Sequence, residues 1–178
     1  LGNALIALGV LALLAAVLLM GYNQWDNGRA QKAAAQVLDQ LETTLDEQEN
    51  HLQLLVPTQV DDTAREMTVT AIDGWDYIGY LSIPSIGLAL PVMSEWSYPK
   101  LKISPCRQFG SSRTDDLVIA AHNYESHFGK IGTLALGDEV RFTDMDGIEN
   151  HYTVSAIEVH DPTDVEAVEH SGHDLVLY

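Results

Sequence analysis

The N-terminal part of the chain is an uninterrupted apolar run. Residues 4–20 contain no charged and no strongly polar side chain. As a helix this run rises roughly 25 Å, and with its flanks it approaches the thickness of the bilayer hydrocarbon layer. Tyr22 and Trp25 follow at the positions where an aromatic belt would lie. The pattern predicts a retained membrane anchor over residues 1–22, and a cleaved signal peptide or a buried soluble helix are the alternatives.

The pattern of apolar positions then becomes that of an amphipathic helix. Apolar residues recur at spacings of three, four and seven, and the opposite face is polar and increasingly acidic. We predict a helical stalk over residues 23–56, continuous with the anchor; a solvated helix lying against the folded domain is the alternative. Residues 57–74 show no periodicity and are predicted as a linker. The apolar stripe consists of Ala34, Val37, Leu38, Leu41, Leu45 and Leu52.

Beyond residue 74 the apolar positions follow a strand pattern. A turn at residues 84–87 and a hairpin turn at Asp146–Gly147 separate strands, and residues 126–134 read as a brief turn or helix. Residues 161–173 form an acidic loop. Many short strands with one brief helix predict a mostly β fold, a closed or nearly closed barrel over residues 75–178. Strands are predicted at residues 77–83, 88–93, 117–122, 139–143, 151–159 and 174–178.

One strand carries the main candidate for chemistry. Residues 117–122 run apolar and partly β-branched, which is typical of a strand buried on both faces, and the run ends on His122. An imidazole at a strand end can be held rigidly and still face a cleft, and it exchanges protons near neutral pH. His122 is therefore a candidate catalytic residue. The alternative is a half-buried histidine whose ring is satisfied by a hydrogen bond.

Charge and cysteine content narrow the functional classes. The chain has 26 acidic residues against 9 Lys plus Arg, a formal net charge of −17. Such a surface repels nucleic acid, and no Walker loop or Gly-x-Gly-x-x-Gly motif is present. We therefore expect no nucleic-acid partner and no cofactor. The single cysteine, Cys106, excludes an intrachain disulfide but does not decide the compartment.

Histidine spacing gives only a weak indication of a metal site. His122 and His127 are five residues apart, and His170 and His173 are three apart, but no H-E-x-x-H helix exists. A zinc hydrolase therefore remains a minor alternative, and we expect no resident metal.

Several motifs resemble those of one enzyme family. Residues 78–92 read IGYLSIPSIGLALPV, which resembles the opening strand pair of sortases, the membrane-anchored cysteine transpeptidases of Gram-positive bacteria, with the hallmark I-G-x-L-x-I-P-x-I-x-L-x-L-P-V. His122 followed by Asn123 matches the family strand L-V-I-x-[AG]-H-N/T, which ends on the catalytic histidine. The hairpin FTDMDGIENHYTV and the final LVLY resemble two further family strands, the second of which ends in Thr-Cys. The resemblance covers residues 75–178 and is closest to class B-like enzymes.

The resemblance implies a definite activity. It would be a transpeptidase or hydrolase that cleaves an LPxTG-like sorting signal and transfers the acyl group to a cell-wall precursor or pilin amine. His122 would be the proton carrier. The protein would be a single-pass membrane protein with its barrel outside the cytoplasm. A membrane-tethered, non-catalytic β-barrel that binds or scaffolds other molecules is the alternative from another class.

The sequence also departs from the family pattern. The family's nucleophilic cysteine would follow about two residues after Tyr178, and its catalytic arginine would lie on the next strand. We therefore expect an incomplete barrel that lacks its last strand or strands and is inactive alone. Cys106, Arg107 and Arg113 precede the His122 strand and are in the wrong segment to replace these groups. We expect an inert thiol and two surface cations.

Overall fold

The structure, a computed structural model, describes residues 2–54, 66–161 and 165–178. Within these ranges, eight strands form one mixed sheet and a long helix precedes them. The strands are β1 (Thr70–Ile72), β2 (Trp75–Ile83), β3 (Leu88–Met93), β4 (Cys106–Phe109), β5 (Leu117–Ala120), β6 (Glu139–Asp144), β7 (Glu149–Thr153) and β8 (Leu175–Leu177). The helices are α1 (Gly2–Leu54), α2 (Tyr98–Leu101) and α3 (Val165–Glu169), with 3-10 turns at Pro84–Ile86 and Phe128–Thr133.

The sheet curls into a nearly closed barrel, which confirms the predicted mostly β fold. Its order is β7-β6-β2-β3-β4-β5-β8, and β1 adds to β2. The β3–β4 and β5–β8 pairs are parallel, and the other pairs are antiparallel. The predicted hairpin is present, because Gly147 adopts a φ of 78° and its N–H donates to Asp144 O. Parallel pairing of β5 and β8 brings their carboxyl ends to the same edge of the sheet.

The core lies between the strands and the second half of α1. All four residues of β5 are buried, as the apolar run predicted. Ala34 of α1 belongs to the main core cluster around β2, β3, β5 and β6. Val37 and Leu41 of α1 pack in a second cluster with Tyr77 and Met93. Ala34, Val37, Leu41 and Leu45 of the predicted apolar stripe thus form the surface by which α1 docks on the barrel. The side chain of Leu52 lies outside the described part of the structure.

The first part of α1 has a different environment. The helix is continuous over 53 residues, and its apolar part is long and apolar enough to cross a membrane, with a mean hydropathy of 2.6 and none of that stretch buried. The stretch is a candidate membrane anchor. Because one helix spans both parts, the candidate anchor leads without a break into the surface that contacts the barrel.

The structure differs from the sequence prediction at several element ends. β1 lies inside the range 57–74 predicted as linker; it is too short to show periodicity and forms by pairing with β2. Residues 55–65 lie outside the described part of the chain. β7 ends at Thr153 rather than at residue 159. Apolar and polar residues still alternate after Thr153, but in the described part of the chain this segment has no neighbouring strand with which to pair. The predicted acidic loop contains α3.

Candidate active site

His122 lies just beyond the end of β5, where the chain turns away from the sheet. The strand ends at Ala120 rather than at His122, because the His122 carbonyl accepts a hydrogen bond of 3.1 Å from Phe128 N–H, which leads the chain into the 3-10 turn. Ala121 N–H donates to Tyr178 O at 2.9 Å. His122 therefore follows directly on the point where the carboxyl ends of β5 and β8 are hydrogen-bonded to each other.

The imidazole of His122 is half-buried. Its Nε2 is buried and has no hydrogen-bond partner among the described residues. One ring face stacks on Tyr124, with the ring centroids 4.6 Å apart and the planes at 30°. A neutral imidazole has one nitrogen that can accept a proton and one that can donate. The ring is thus fixed in place without a hydrogen bond at Nε2.

A second histidine, His127, contacts Tyr124. His127 is fully buried, and neither ring nitrogen has a hydrogen-bond partner within the described ranges. Its ring lies 5.3 Å from that of Tyr124, centroid to centroid, at 53°. Burial, together with the nearby His122, lowers the pKa of His127 to about 4. His127 is therefore neutral at pH 7 and acts there as a packing residue.

The helix α1 reaches this site. Tyr124 Oη donates a 2.6 Å hydrogen bond to Asp26 Oδ2, and Asp26 Oδ1 pairs with Arg29 Nη2 at 2.8 Å. The hydrogen bond from Tyr124, and then that from Arg29, lowers the pKa of the Asp26 carboxyl. Asn27 Oδ1 accepts from both Ser126 N–H (3.1 Å) and Ser126 Oγ (2.7 Å). Two consecutive α1 residues thus bind the loop that follows His122.

The sequence prediction missed Asp26 and Tyr124, and it considered His127 only as a possible metal ligand together with His122. One signal could have found Asp26, because it lies four residues before Ala30 and eight before Ala34, in register with the buried stripe. A carboxylate in the register of a docking face needs a partner on the opposing surface. Nothing in the sequence indicates that this partner is Tyr124.

Cys106 does not join His122. Its side chain is fully buried in the cluster with Tyr77 and Met93, and its Sγ lies 3.4 Å from Ser104 O. Burial raises the pKa of the Cys106 thiol to about 11. A buried, protonated thiol is a poor nucleophile.

The prediction of two surface arginines is wrong for Arg113, whereas Arg107 is half-buried, with its side chain 22% exposed. Arg107 Nε donates to Ser94 O at 2.9 Å. Arg113 is 5% exposed at its side chain and contacts Asp144 and Asp146 at 2.7 and 2.8 Å. Both guanidinium groups are held by partners that are distant in sequence, which local polarity does not reveal.

A cleft opens between the two outer strands of the sheet and ends beside β8. Its volume is about 550 Å³, and it is lined by apolar and polar side chains of β7, β8 and the segments between them. Tyr178, next to Ala121, is part of its wall. In the described part of the chain, no group of three or more His, Cys, Asp or Glu side chains is placed to hold a metal ion.

Comparison with known proteins identifies the family. The sortase domain profile matches residues 81–178. The fold is similar to that of the sortase D5 transpeptidase of Clostridium perfringens (TM-score 0.51, 18% identity, covering 80% of this chain and 81% of that chain). Sortase C of Clostridium perfringens SM101 gives a TM-score of 0.49 at 22% identity, with 78% and 77% covered.

No protein among the curated sequences matches the chain. The sortase profile nevertheless covers more than half of the chain, including β5, the hairpin of β6 and β7, and β8. The resemblance found in the sequence is therefore confirmed, and the chain belongs to the sortase family.

Proposed function

We propose that the protein is a sortase-type cysteine transpeptidase in which His122 carries protons between the reacting groups. The observation that supports this most directly is the position of His122 beside the hydrogen-bonded ends of β5 and β8. An imidazole held there, with its Nε2 free of a hydrogen bond to the described residues, can take up or release a proton during a reaction.

The proposed reaction divides peptide cleavage into two steps. A cysteine thiolate attacks the carbonyl carbon of the scissile bond in an LPxTG-like sorting signal, and a thioacyl enzyme forms as the amine leaves. His122 gives the leaving amine its proton. An amine of a cell-wall precursor or a pilin then attacks the thioacyl carbon, the C–S bond breaks and releases the cysteine thiolate, and His122 takes the proton that this amine loses.

Cys106 is not the nucleophile of the proposed reaction. Its thiol is fully buried, and its pKa is raised to about 11. The carboxyl end of β8 is placed far better, because Tyr178 O accepts a hydrogen bond from Ala121, the neighbour of His122. We propose that the thiolate is presented from immediately beyond β8, and that residues 1–178 alone do not turn over substrate.

The proposed organisation follows the continuity of α1. Residues 1–22 would be the single membrane anchor, residues 23–56 the helix that docks on the barrel, residues 57–74 the connection, and residues 75–178 the barrel domain outside the cytoplasm. The candidate anchor and the docking face lie on one unbroken helix, which supports this arrangement. Assignment to a class B-like subclass stays a prediction.

The test uses peptide probes of the sorting signal. The chain in detergent micelles should not cleave a fluorescent LPxTG-type peptide, and cleavage that disappears in Cys106→Ala would overturn the assignment. Next, the chain is extended after Tyr178 by Thr-Cys. A sorting-signal peptide that ends in a chloromethyl ketone should alkylate the added cysteine much faster than a scrambled peptide does.

His122→Ala should slow that alkylation, because the added thiol loses its proton acceptor. Equal rates for the two peptides would contradict a sorting-signal site. Selective peptide binding together with an unreactive added cysteine would instead favour the non-catalytic binding module.

A further inference from the structure

The part of α1 that follows the candidate anchor contacts the loop after His122 through a buried carboxylate. Asp26 lies four residues beyond Tyr22, and its side chain is only 11% exposed. A carboxylate removed from water needs hydrogen-bond donors or a cation. Asp26 has both, because Tyr124 Oη lies 2.6 Å from one oxygen and Arg29 Nη2 lies 2.8 Å from the other.

Tyr124 is held at its two ends by different parts of the molecule. Its ring contacts the rings of His122 and His127, at centroid distances of 4.6 and 5.3 Å, and its hydroxyl is bound to Asp26. A hydrogen bond from a phenol to a carboxylate is short and stronger than one between neutral groups. The ring of Tyr124 therefore cannot move away from its present position without breaking the bond to Asp26.

The imidazole of His122 depends on this ring for its orientation. A catalytic histidine is usually oriented by a hydrogen bond at the ring nitrogen that does not react. For His122 the structure provides an orienting contact at the ring itself, because Tyr124 covers one face of the imidazole. We propose that Asp26 and Tyr124 are positioning residues for His122, so that the helix leaving the membrane sets the orientation of the imidazole.

A second contact fixes the position of the loop along the axis of α1. Asn27 Oδ1 accepts from the backbone N–H and the hydroxyl of Ser126, which ties the loop to α1 one residue beyond Asp26. Ala30, one turn further along α1, is also buried. The Asn27–Ser126 contact thus holds the loop close enough to α1 for Tyr124 to reach Asp26. This inference rests on the proposed role of His122.

The experiment measures the orientation of the imidazole without requiring activity. In the full chain in micelles with isotopically labelled histidine, the Tyr124 ring should displace the His122 ring resonances. Asp26→Ala and Tyr124→Phe should each remove much of that displacement. The double variant should change the His122 resonances no further than either single variant, because both substitutions break the same hydrogen bond. Asp26→Asn retains an acceptor for the tyrosine hydroxyl and should restore the resonances.

Two internal references separate positioning from a loss of folding. The resonances of the exposed His151 should stay unchanged in every variant. Asp39→Asn, which alters an exposed carboxylate further along α1, should leave the His122 resonances in place. Unchanged His122 resonances in Asp26→Ala would overturn the inference.

The same variants also have an expected effect on the reaction. In the chain extended by Thr-Cys, Asp26→Ala should lower the rate of peptide alkylation about tenfold or more, because small displacements of a catalytic group reduce rates strongly. Asp26→Asn should restore most of the rate. Loss of peptide selectivity with the resonance changes intact would contradict the proposed function alone, and the reverse pattern would contradict the positioning role alone.

Discussion

Arg113 Nη2 lies 2.7 Å from Asp144 Oδ2, and the two side chains are 5% and 0% exposed. The contact joins the loop before β5 to the end of β6. The other carboxylate oxygen of Asp144 accepts from the N–H groups of Asp146 and Ile148. Burial raises the pKa of the Asp144 carboxyl, and the hydrogen bond from Ile148 and the charge of Arg113 oppose that rise. The Asp144 side chain therefore holds the turn between β6 and β7 in place, and its buried charge is balanced by Arg113.

Arg113→Met should destabilise the protein strongly. The substitution leaves a buried carboxylate without its main cation, for which a loss of about 3–5 kcal/mol in the free energy of unfolding is expected. Urea unfolding monitored by tryptophan fluorescence measures this loss. Arg141→Met is the matched control, because Arg141 pairs with Glu139 at 40% and 44% exposure, and the loss of an exposed pair should change the free energy of unfolding far less. Similar losses of free energy in both variants would show that the buried Arg113–Asp144 pair stabilises the protein no more than an exposed ion pair does.

The local pattern of apolar residues was sufficient to predict many of the strands of the barrel. The prediction for β3 matches the observed bounds, and the hairpin around Gly147 is present, because alternation and turn chemistry are properties of adjacent residues. The position of His122 at the edge of the sheet followed from the same local pattern. Its exact strand end did not, because the Phe128 hydrogen bond that ends the strand pairing comes from the following turn.

Contacts between distant segments could not be predicted in this way. Tyr124 and Asp26 are 98 residues apart in sequence, and each residue taken alone reads as a polar position near the surface. Arg113 likewise reads as a surface cation, since its partners Asp144 and Asp146 lie on a later hairpin. These contacts depend on how α1 and the loops dock on the finished barrel, which no single-sequence periodicity encodes.

His127 should make the protein less stable as the pH falls. Its pKa in the folded protein is lowered from 6.5 to about 4, so between these values the unfolded chain binds a proton that the folded protein does not. Stability is therefore fully present above pH 6.5 and falls progressively towards pH 4, by about 3 kcal/mol from this group. Urea unfolding at a series of pH values should show a shallower pH dependence in His127→Leu than in the parent protein.

The control for this experiment is His173→Gln, which changes an exposed histidine. It should retain the pH dependence of the parent protein, because the substitution leaves the buried His127 ring unchanged. A parent-like pH dependence in His127→Leu would show that the buried ring is not its source.

Cys106 should be almost unreactive while the protein is folded. Its thiol is fully buried, and its pKa is raised to about 11, so the thiolate fraction at pH 8 is about 100-fold or more below that of an unfolded chain. Iodoacetamide labelling followed by mass spectrometry should be slow in buffer and fast in urea. Rapid labelling of the native protein would place the thiol at the surface and make it a candidate nucleophile again.

Gly79→Ala should disrupt the pairing of β2 with β6. Gly79 has a φ of +148°, and an added Cβ would lie 2.1 Å from Thr143 O, an oxygen of the backbone that cannot rotate away. We expect a loss of about 3 kcal/mol or more in the free energy of unfolding, from overpacking and backbone strain combined. Gly79 is the glycine of the I-G-x-L motif, so this contact gives the motif a packing reason.

Gly74→Ala is the matched control for this substitution. Gly74 has a φ of +82°, but an added Cβ there meets nothing within 4 Å. Its loss should be about 1 kcal/mol, the cost of a left-handed conformation alone. Urea unfolding of both variants separates the two causes, because they share the positive φ and differ in the contact with Thr143. If both variants lost the same free energy of unfolding, the positive φ alone would explain why glycine is required at position 79, and the close approach of β6 would not be the reason.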